Sequence, residues 1–276
     1  MKLLKALFCH APSHNILGIC LSGGGALGFA HIGVLKALEE NGIFPQKIVG
    51  SSMGAIIGSL YASGMTPEAM LQLVKDDKLY KVTKLMTIRP AFSKSGLSNH
   101  TTLRNVIKEL IPHNSFDKLQ KNLGVCVSNL NTAECEIVST GSDLDKWVAA
   151  SASIPGVFET IQNLDTYYVD GGLLNNMPAQ SLKSTCSTII GVDVLPLVVP
   201  TGFNRPTDTL AHSLRAVQHQ NSIEGRSLCQ FVIEPRAIDE YHEFSFDAYQ
   251  AIYQHGYSAT VKYITENPTI LKLSDR

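Results

Sequence analysis

Ser52, at the centre of Gly50-Ser51-Ser52-Met53-Gly54, has the setting of a nucleophile. In the pattern G-x-S-x-G a serine occupies a sharp strand-to-helix turn with its hydroxyl exposed, and small residues on either side let strand and helix approach. Upstream, Gly23-Gly24-Gly25-Ala26-Leu27-Gly28 offers consecutive backbone N–H groups without side chains in front of them, which is what a developing oxyanion requires. A serine hydroxyl reacts poorly until a neighbouring base takes its proton. Tyr167-Tyr168-Val169-Asp170-Gly171-Gly172 supplies an acid at the end of a strand, before glycines that permit a tight turn. Asp170 either accepts the proton of Ser52 or caps the turn after it, and spacing alone leaves both open.

The elements that must carry these residues are legible in outline. An apolar run over 16–21 ends at the glycine cluster, and Ile32, Leu35 and Leu38 recur at helical spacing over 31–40. Ile48 and Val49 mark a second strand, and 55–62 begins a helix after the serine. A right-handed crossover returns both strands in one direction, so both of their C-terminal loops fall on one sheet edge. Further helices are expected at 66–75, 101–110, 143–151, 208–227 and 246–266, and strands at 124–130, 134–138, 166–169, 188–194 and 231–234. Strands alternating with helices argue for an α/β fold with a mostly parallel sheet covered on both faces. A single domain over 1–276 is expected, its motif-bearing core at about 16–194 and its C-terminal part, 207–276, packed on that core.

Bulk properties narrow the partners. A formal charge of -1, from 23 Lys+Arg and 24 Asp+Glu, leaves no electrostatic footprint for gripping nucleic acid. No apolar run is long enough for a membrane span. Residues 1–9 resemble the start of a signal peptide, but Lys5 interrupts the apolar stretch too early; the segment suits a frayed terminus or a short amphipathic helix touching a membrane surface. The basic stretch 75–94 is read as a solvated helix face, with contact to an anionic lipid surface as the alternative. Six cysteines without a C-x-x-C pair read as reduced thiols, so a cytoplasmic protein, at most peripheral to the membrane and without structural zinc, is expected. Trp147 is assigned to the core.

The three chemical strings, in this order, resemble the patatin-like phospholipases. Phe29-Ala30-His31-Ile32-Gly33-Val34-Leu35 and Ser151-Ala152-Ser153-Ile154-Pro155-Gly156-Val157-Phe158 extend the resemblance, which runs from about Leu17 to Asp193. It implies a three-layer α/β/α fold and a Ser-Asp dyad cleaving acyl esters of lipids, a phospholipid or lysophospholipid, through an acyl-serine intermediate. Ser52 would then be the nucleophile and Asp170 the general base. Oxyanion donors would come from Gly23, Gly24, Gly25 and Met53, with Gly28, Gly50, Gly54, Gly171 and Gly172 as motif glycines. No metal or organic cofactor is implied. One departure stands out: Leu27 occupies a position where many members carry Arg or Lys, which removes a charged contact to a lipid head group.

Other readings fit less well. Gly23, Gly25 and Gly28 satisfy G-x-G-x-x-G, but a dinucleotide site wants an acid at the end of the second strand, where this chain has Gly50-Ser51-Ser52. Phe29-Ala30 stands where a P-loop needs Lys and Ser or Thr. A Ser-Asp-His triad is the closer competitor, since His212, His219, His242 and His255 all follow Asp170, although none lies in a motif. His31 is read as a packing or locally hydrogen-bonded residue. A non-catalytic lipid- or anion-binding module would need the backbone donors but not a nucleophile paired with a base.

Overall fold

Leu17–Leu21, wholly buried, forms β1 at the middle of the sheet, and its side chains alternate between two cores. Leu17, Ile19 and Leu21 enter the larger core, whereas Cys20 enters a smaller one on the opposite face. In the computed structural model, residues 16–76, 100–195, 197, 199–200, 202–203 and 206–274 are described. The strands are β1, β2 (Lys47–Ser51), β3 (Asn122–Asn129), β4 (Glu134–Val138), β5 (Ile161–Asn163), β6 (Thr166–Asp170), β7 (Thr188–Val192) and β8 (Phe231–Ile233). They form one eight-stranded sheet in the order β5-β6-β3-β2-β1-β7-β8, with β4 also paired to β3. The central pairings β1/β2, β1/β7, β2/β3 and β7/β8 are parallel, as the alternating pattern predicts. The pairings β3/β4, β3/β6 and β5/β6 are antiparallel, so the sheet is mixed at one end.

The helices are α1 (Ala30–Glu40), α2 (Met53–Ala62), α3 (Pro67–Lys75), α4 (Thr101–Leu110), α5 (Leu144–Ser151), α6 (Pro206–Ser227) and α7 (Tyr249–Glu266). α1, α2, α5 and α7 pack into the larger core on one face of the sheet. The opposite face is covered by a short 3-10 turn, Ala179–Leu182, and by the residues that follow α6. α3 starts where Thr66-Pro67 predicts: the Thr66 hydroxyl accepts the Ala69 N–H at 3.3 Å, and proline fills the first position, where no N–H is needed. A 3-10 turn, Gly25–Phe29, leads into α1. β5, with Gln and Asn among its three residues, carries too little apolar pattern to be read as a strand. Trp147 is partly buried, with its ring edge-on to Tyr168 at 5.2 Å. Among the described residues no helix is long and apolar enough to cross a membrane. Residues 1–15 and all but the first two residues of the 75–94 stretch lie outside those described.

β3 is the strand that brings the candidate site together. Val125 and Cys126 pair with both β2 and β4, and Val127, Ser128 and Asn129 pair with both β4 and β6. β2 and β6 therefore share one edge of β3, running toward each other and meeting head-on: Ser51 faces Cys126 and Asp170 faces Val127. The sequence predicts proximity of Asp170 to Ser52 from a common C-terminal edge. That proximity arises from this collision of strand ends, because β6 runs antiparallel to β3.

Candidate active site

Ser52 sits between the last residue of β2 and the first of α2 with φ 52 and ψ −122. For a non-glycine residue this is a strained conformation, on the order of 1–3 kcal/mol. Its neighbours hold it there. The Ser52 N–H donates to Ser151 Oγ at 2.9 Å, and the Ser52 carbonyl accepts the N–H groups of Ala55 and Ile56. Gly54 lies hard against the Leu21 carbonyl and Gly50 against the backbone of Gly54, so a side chain at Gly54 would push the elbow away from β1 and one at Gly50 would wedge β2 from α2. Sequence motifs do not mark Ser151, at the end of α5, as a site residue. Its partner lies 99 residues away, and a serine closing a helix carries no signal of that contact.

Asp170 uses its two oxygens separately. Oδ2 accepts the Ser52 hydroxyl at 2.6 Å, and Oδ1 accepts the Gly172 N–H at 2.8 Å, capping the 3-10 turn Gly171–Leu173. Contact with the Ser52 hydroxyl and capping of the turn, alternatives in the sequence, therefore coexist in one carboxylate. The Asp170 N–H donates to the Ser153 carbonyl at 3.0 Å, so the 151–153 segment grips both Ser52 and Asp170. Asp170 is 2% exposed, and burial pushes its carboxyl up to about 6, against the opposing effect of the hydrogen bonds from Ser52 and Gly172.

The glycine loop approaches from β1. Gly25 has φ 54 and presses against the Glu243 carbonyl, which accepts the Ala26 N–H at 2.8 Å. Only glycine combines that backbone angle with so close an approach. Among the described residues, the N–H groups of Gly24, Gly25 and Met53 meet no acceptor. Met53 opens α2, whose N-terminal dipole also faces the serine. Gly23 departs from the expected role: its N–H is taken by Asn176 Oδ1 at 3.0 Å, so it anchors the loop and is not free to bind an oxyanion. Gly28 packs against the Met53 side chain. Gly171 lies against the Cys126 carbonyl at the junction of β3 and β6.

Gly24, Gly25, Ser52 and Asp170 line a small cavity, open to solvent, with an apolar wall that includes Ile154, Pro155, Leu173, Leu195, Leu214 and Phe244. Gln218 and Glu243 are polar members of its lining, and Arg215 pairs with the Glu243 carboxylate at 3.2 Å. Leu27 is wholly buried in the larger core, so its side chain does not reach the cavity. His31 is also buried; its Nε2 lies 2.8 Å from the Ser22 carbonyl, and burial lowers its pKa to about 4, which keeps the ring neutral. Among the described residues no histidine hydrogen-bonds Ser52 or Asp170. His212 packs against Phe203 and His255 against Tyr241. Such an arrangement has the parts for acyl transfer: a hydroxyl, a base in contact with it, backbone donors and an apolar slot.

The sequence profile of the family described as patatin-like phospholipase matches residues 19–183. Lysophospholipase NTE1 of Eremothecium gossypii is 30% identical over 185 residues, 66% of this chain and 12% of the relative. The uncharacterized NTE family protein Rv1063c of Mycobacterium tuberculosis is 30% identical over 173 residues, 63% of this chain and 47% of the relative. The chain thus corresponds to less than half of either relative. Among solved structures, VipD from Legionella pneumophila aligns over 93% of this chain and 67% of that one, at 16% identity and a TM-score of 0.48. The match of the family profile covers more than half of the sequence, including the glycine loop, the serine elbow and the Asp170 turn: the chain belongs to the patatin-like phospholipase family.

Proposed function

We propose that this chain hydrolyses carboxylic esters of lipids, a phospholipid or lysophospholipid, with Ser52 as nucleophile and Asp170 as general base. The observation that carries this reading is the 2.6 Å hydrogen bond from the Ser52 hydroxyl to Asp170 Oδ2 at the floor of an apolar-walled cavity. Asp170 takes the serine proton as Ser52 Oγ attacks the ester carbonyl. The N–H groups of Gly24, Gly25 and Met53 receive the oxyanion, helped by the positive end of α2. Collapse expels the alcohol, which leaves with the proton held by Asp170, and an acyl-Ser52 remains. Water then attacks that acyl group while Asp170 takes its proton. A carboxyl raised toward neutrality is a stronger base than an ordinary aspartate and is still largely ionised at pH 7.

The apolar wall suits a hydrocarbon chain, and burial of Leu27 leaves the glycine loop without a charged contact to a head group. Release of fatty acid from a panel of phospholipids, lysophospholipids and neutral esters tests the reading. Hydrolysis by the wild type and none by Ser52→Ala supports it. Equal turnover by both proteins, or binding of lipid without turnover, would refute it.

A further inference from the structure

We propose that Gln218 is a further catalytic residue of this site. Its side-chain amide holds the oxygen that exchanges a proton with Asp170, first that of the departing alcohol and then that of the attacking water. The proposal rests on the ester-hydrolase reading above and assigns a residue outside the 19–183 segment matched by the family.

Three observations place Gln218 there. It follows Leu214 by four positions and Ala211 by seven on α6, so all three share the helix face that lines the cavity with Ser52 and Asp170. Gly172 leaves room for its head group. A methyl group at residue 172 would stand 2.7 Å from Asn176 Oδ1, 2.7 Å from Gln218 Nε2 and 3.1 Å from Asp170 Oδ1, so the two amides and the carboxylate flank the same bare backbone carbon. Finally, the amide makes no hydrogen bond among the described residues, while the helix that carries it is fixed to the Asp170 turn. Asn221, nearly one turn further along α6, donates to the carbonyls of Gly172 and Leu173 at 3.1 Å each and accepts the Asn176 N–H at 2.8 Å. Asn176 in turn holds Gly23. Gln218 thus presents an unused donor and acceptor, in a set register, beside the base.

In acylation the Ser52 Oγ–carbon bond forms, the ester carbon–oxygen bond breaks, and the proton Asp170 received from Ser52 passes to the alkoxide. In deacylation water adds to the same carbon and gives its proton to Asp170. The Ser52 Oγ–carbon bond then breaks, and Ser52 Oγ takes the proton back. Alcohol and water occupy one position in the two half-reactions, so one amide serves both: Nε2–H donates to the oxygen lone pair while Asp170 handles its proton.

Leaving groups separate this role from a structural one. Gln218→Met keeps the length of a half-buried side chain and removes both polar groups. With a p-nitrophenyl ester, whose leaving group departs without a proton, the acylation burst is expected to stay within about twofold of wild type. Steady-state deacylation should fall about tenfold, the worth of one lost hydrogen bond, and acyl-Ser52 should accumulate in intact-mass spectra. An alkyl ester of the same acid should instead show slowed acylation. Unchanged deacylation in Gln218→Met, or equal loss of burst and steady-state rates with the activated ester, would overturn the assignment. If the wild type forms no acyl-Ser52 at all, the ester-hydrolase reading itself falls, and the Gln218 role with it.

Discussion

Asp170 receives the Ser52 hydroxyl on one oxygen and the Gly172 amide on the other while almost wholly buried, so its charge is held at the expense of stability. Its folded-state pKa, about 6, lies above the ordinary 3.8, so the folded chain binds the proton more tightly than the unfolded one. Stability from this group is therefore full below about pH 4 and is lost as pH rises through 6. Asp170→Asn removes the charge and keeps an oxygen for the Gly172 N–H. We expect this variant to be more stable than wild type at pH 8, by on the order of 2–3 kcal/mol, with the gap closing toward pH 4; denaturant melts at the two pH values check this. In the mechanism we propose, the same ionisation sets activity with the opposite sign. Wild-type kcat/KM should rise through a single acid limb with a midpoint near 6, as Asp170 loses its proton, and level off above it. Asp170→Asn should lose nearly all turnover across that range. Ser52, Asp170 and the glycine loop were legible because motif spacing survives in sequence. The engagement of Gly23 by Asn176 was not, since one glycine N–H in a run reads like the next and its partner lies 153 residues away.

At the scale of elements, the site is made where strand ends and a helix end converge. β2 and β6 meet head-on against β3, and the C-terminus of α5 supplies Ser151 to the Ser52 N–H and the Ser153 carbonyl to the Asp170 N–H. Ser151→Ala leaves the elbow N–H without its acceptor in a buried setting. That should destabilise the chain by about 1–3 kcal/mol and lower kcat more than it raises KM; melts and steady-state kinetics on one ester check both. If kcat is unchanged, Ser151 does not hold the elbow. Most elements could be read from local pattern: α3 from Thr66-Pro67, α4 and β4 with matching bounds, and the β3/β4 hairpin from its apolar runs around Asn131. The direction of β6 could not, because a five-residue strand has the same pattern whichever way it pairs, and only tertiary pairing with Val127–Asn129 fixes it.

At the scale of the molecule, the segment beyond the family match completes the site. The 243–244 segment, α6 and Leu195 form cavity wall, and the Glu243 carbonyl seats Gly25 and Ala26. α7 packs closely along α1, with Gly256 against the Ala30 backbone and Gly33 against Tyr253 and Tyr257. A larger side chain would wedge the helices apart and disturb the glycine loop that leads into α1. Gly256→Val is accordingly expected to lower the melting temperature and reduce kcat, and an unchanged melting temperature would contradict this packing. The central claim is that Ser52 is activated by Asp170 without a histidine, and fluorophosphonate labelling rates measured across pH test it most directly. We expect wild type to be modified at Ser52 at a rate rising through about pH 6, Asp170→Asn to lose nearly all of that rate, and alanine variants of His212, His219, His242 and His255 to keep it. Undiminished labelling of Asp170→Asn, or a histidine variant as unreactive as Ser52→Ala, would contradict the dyad.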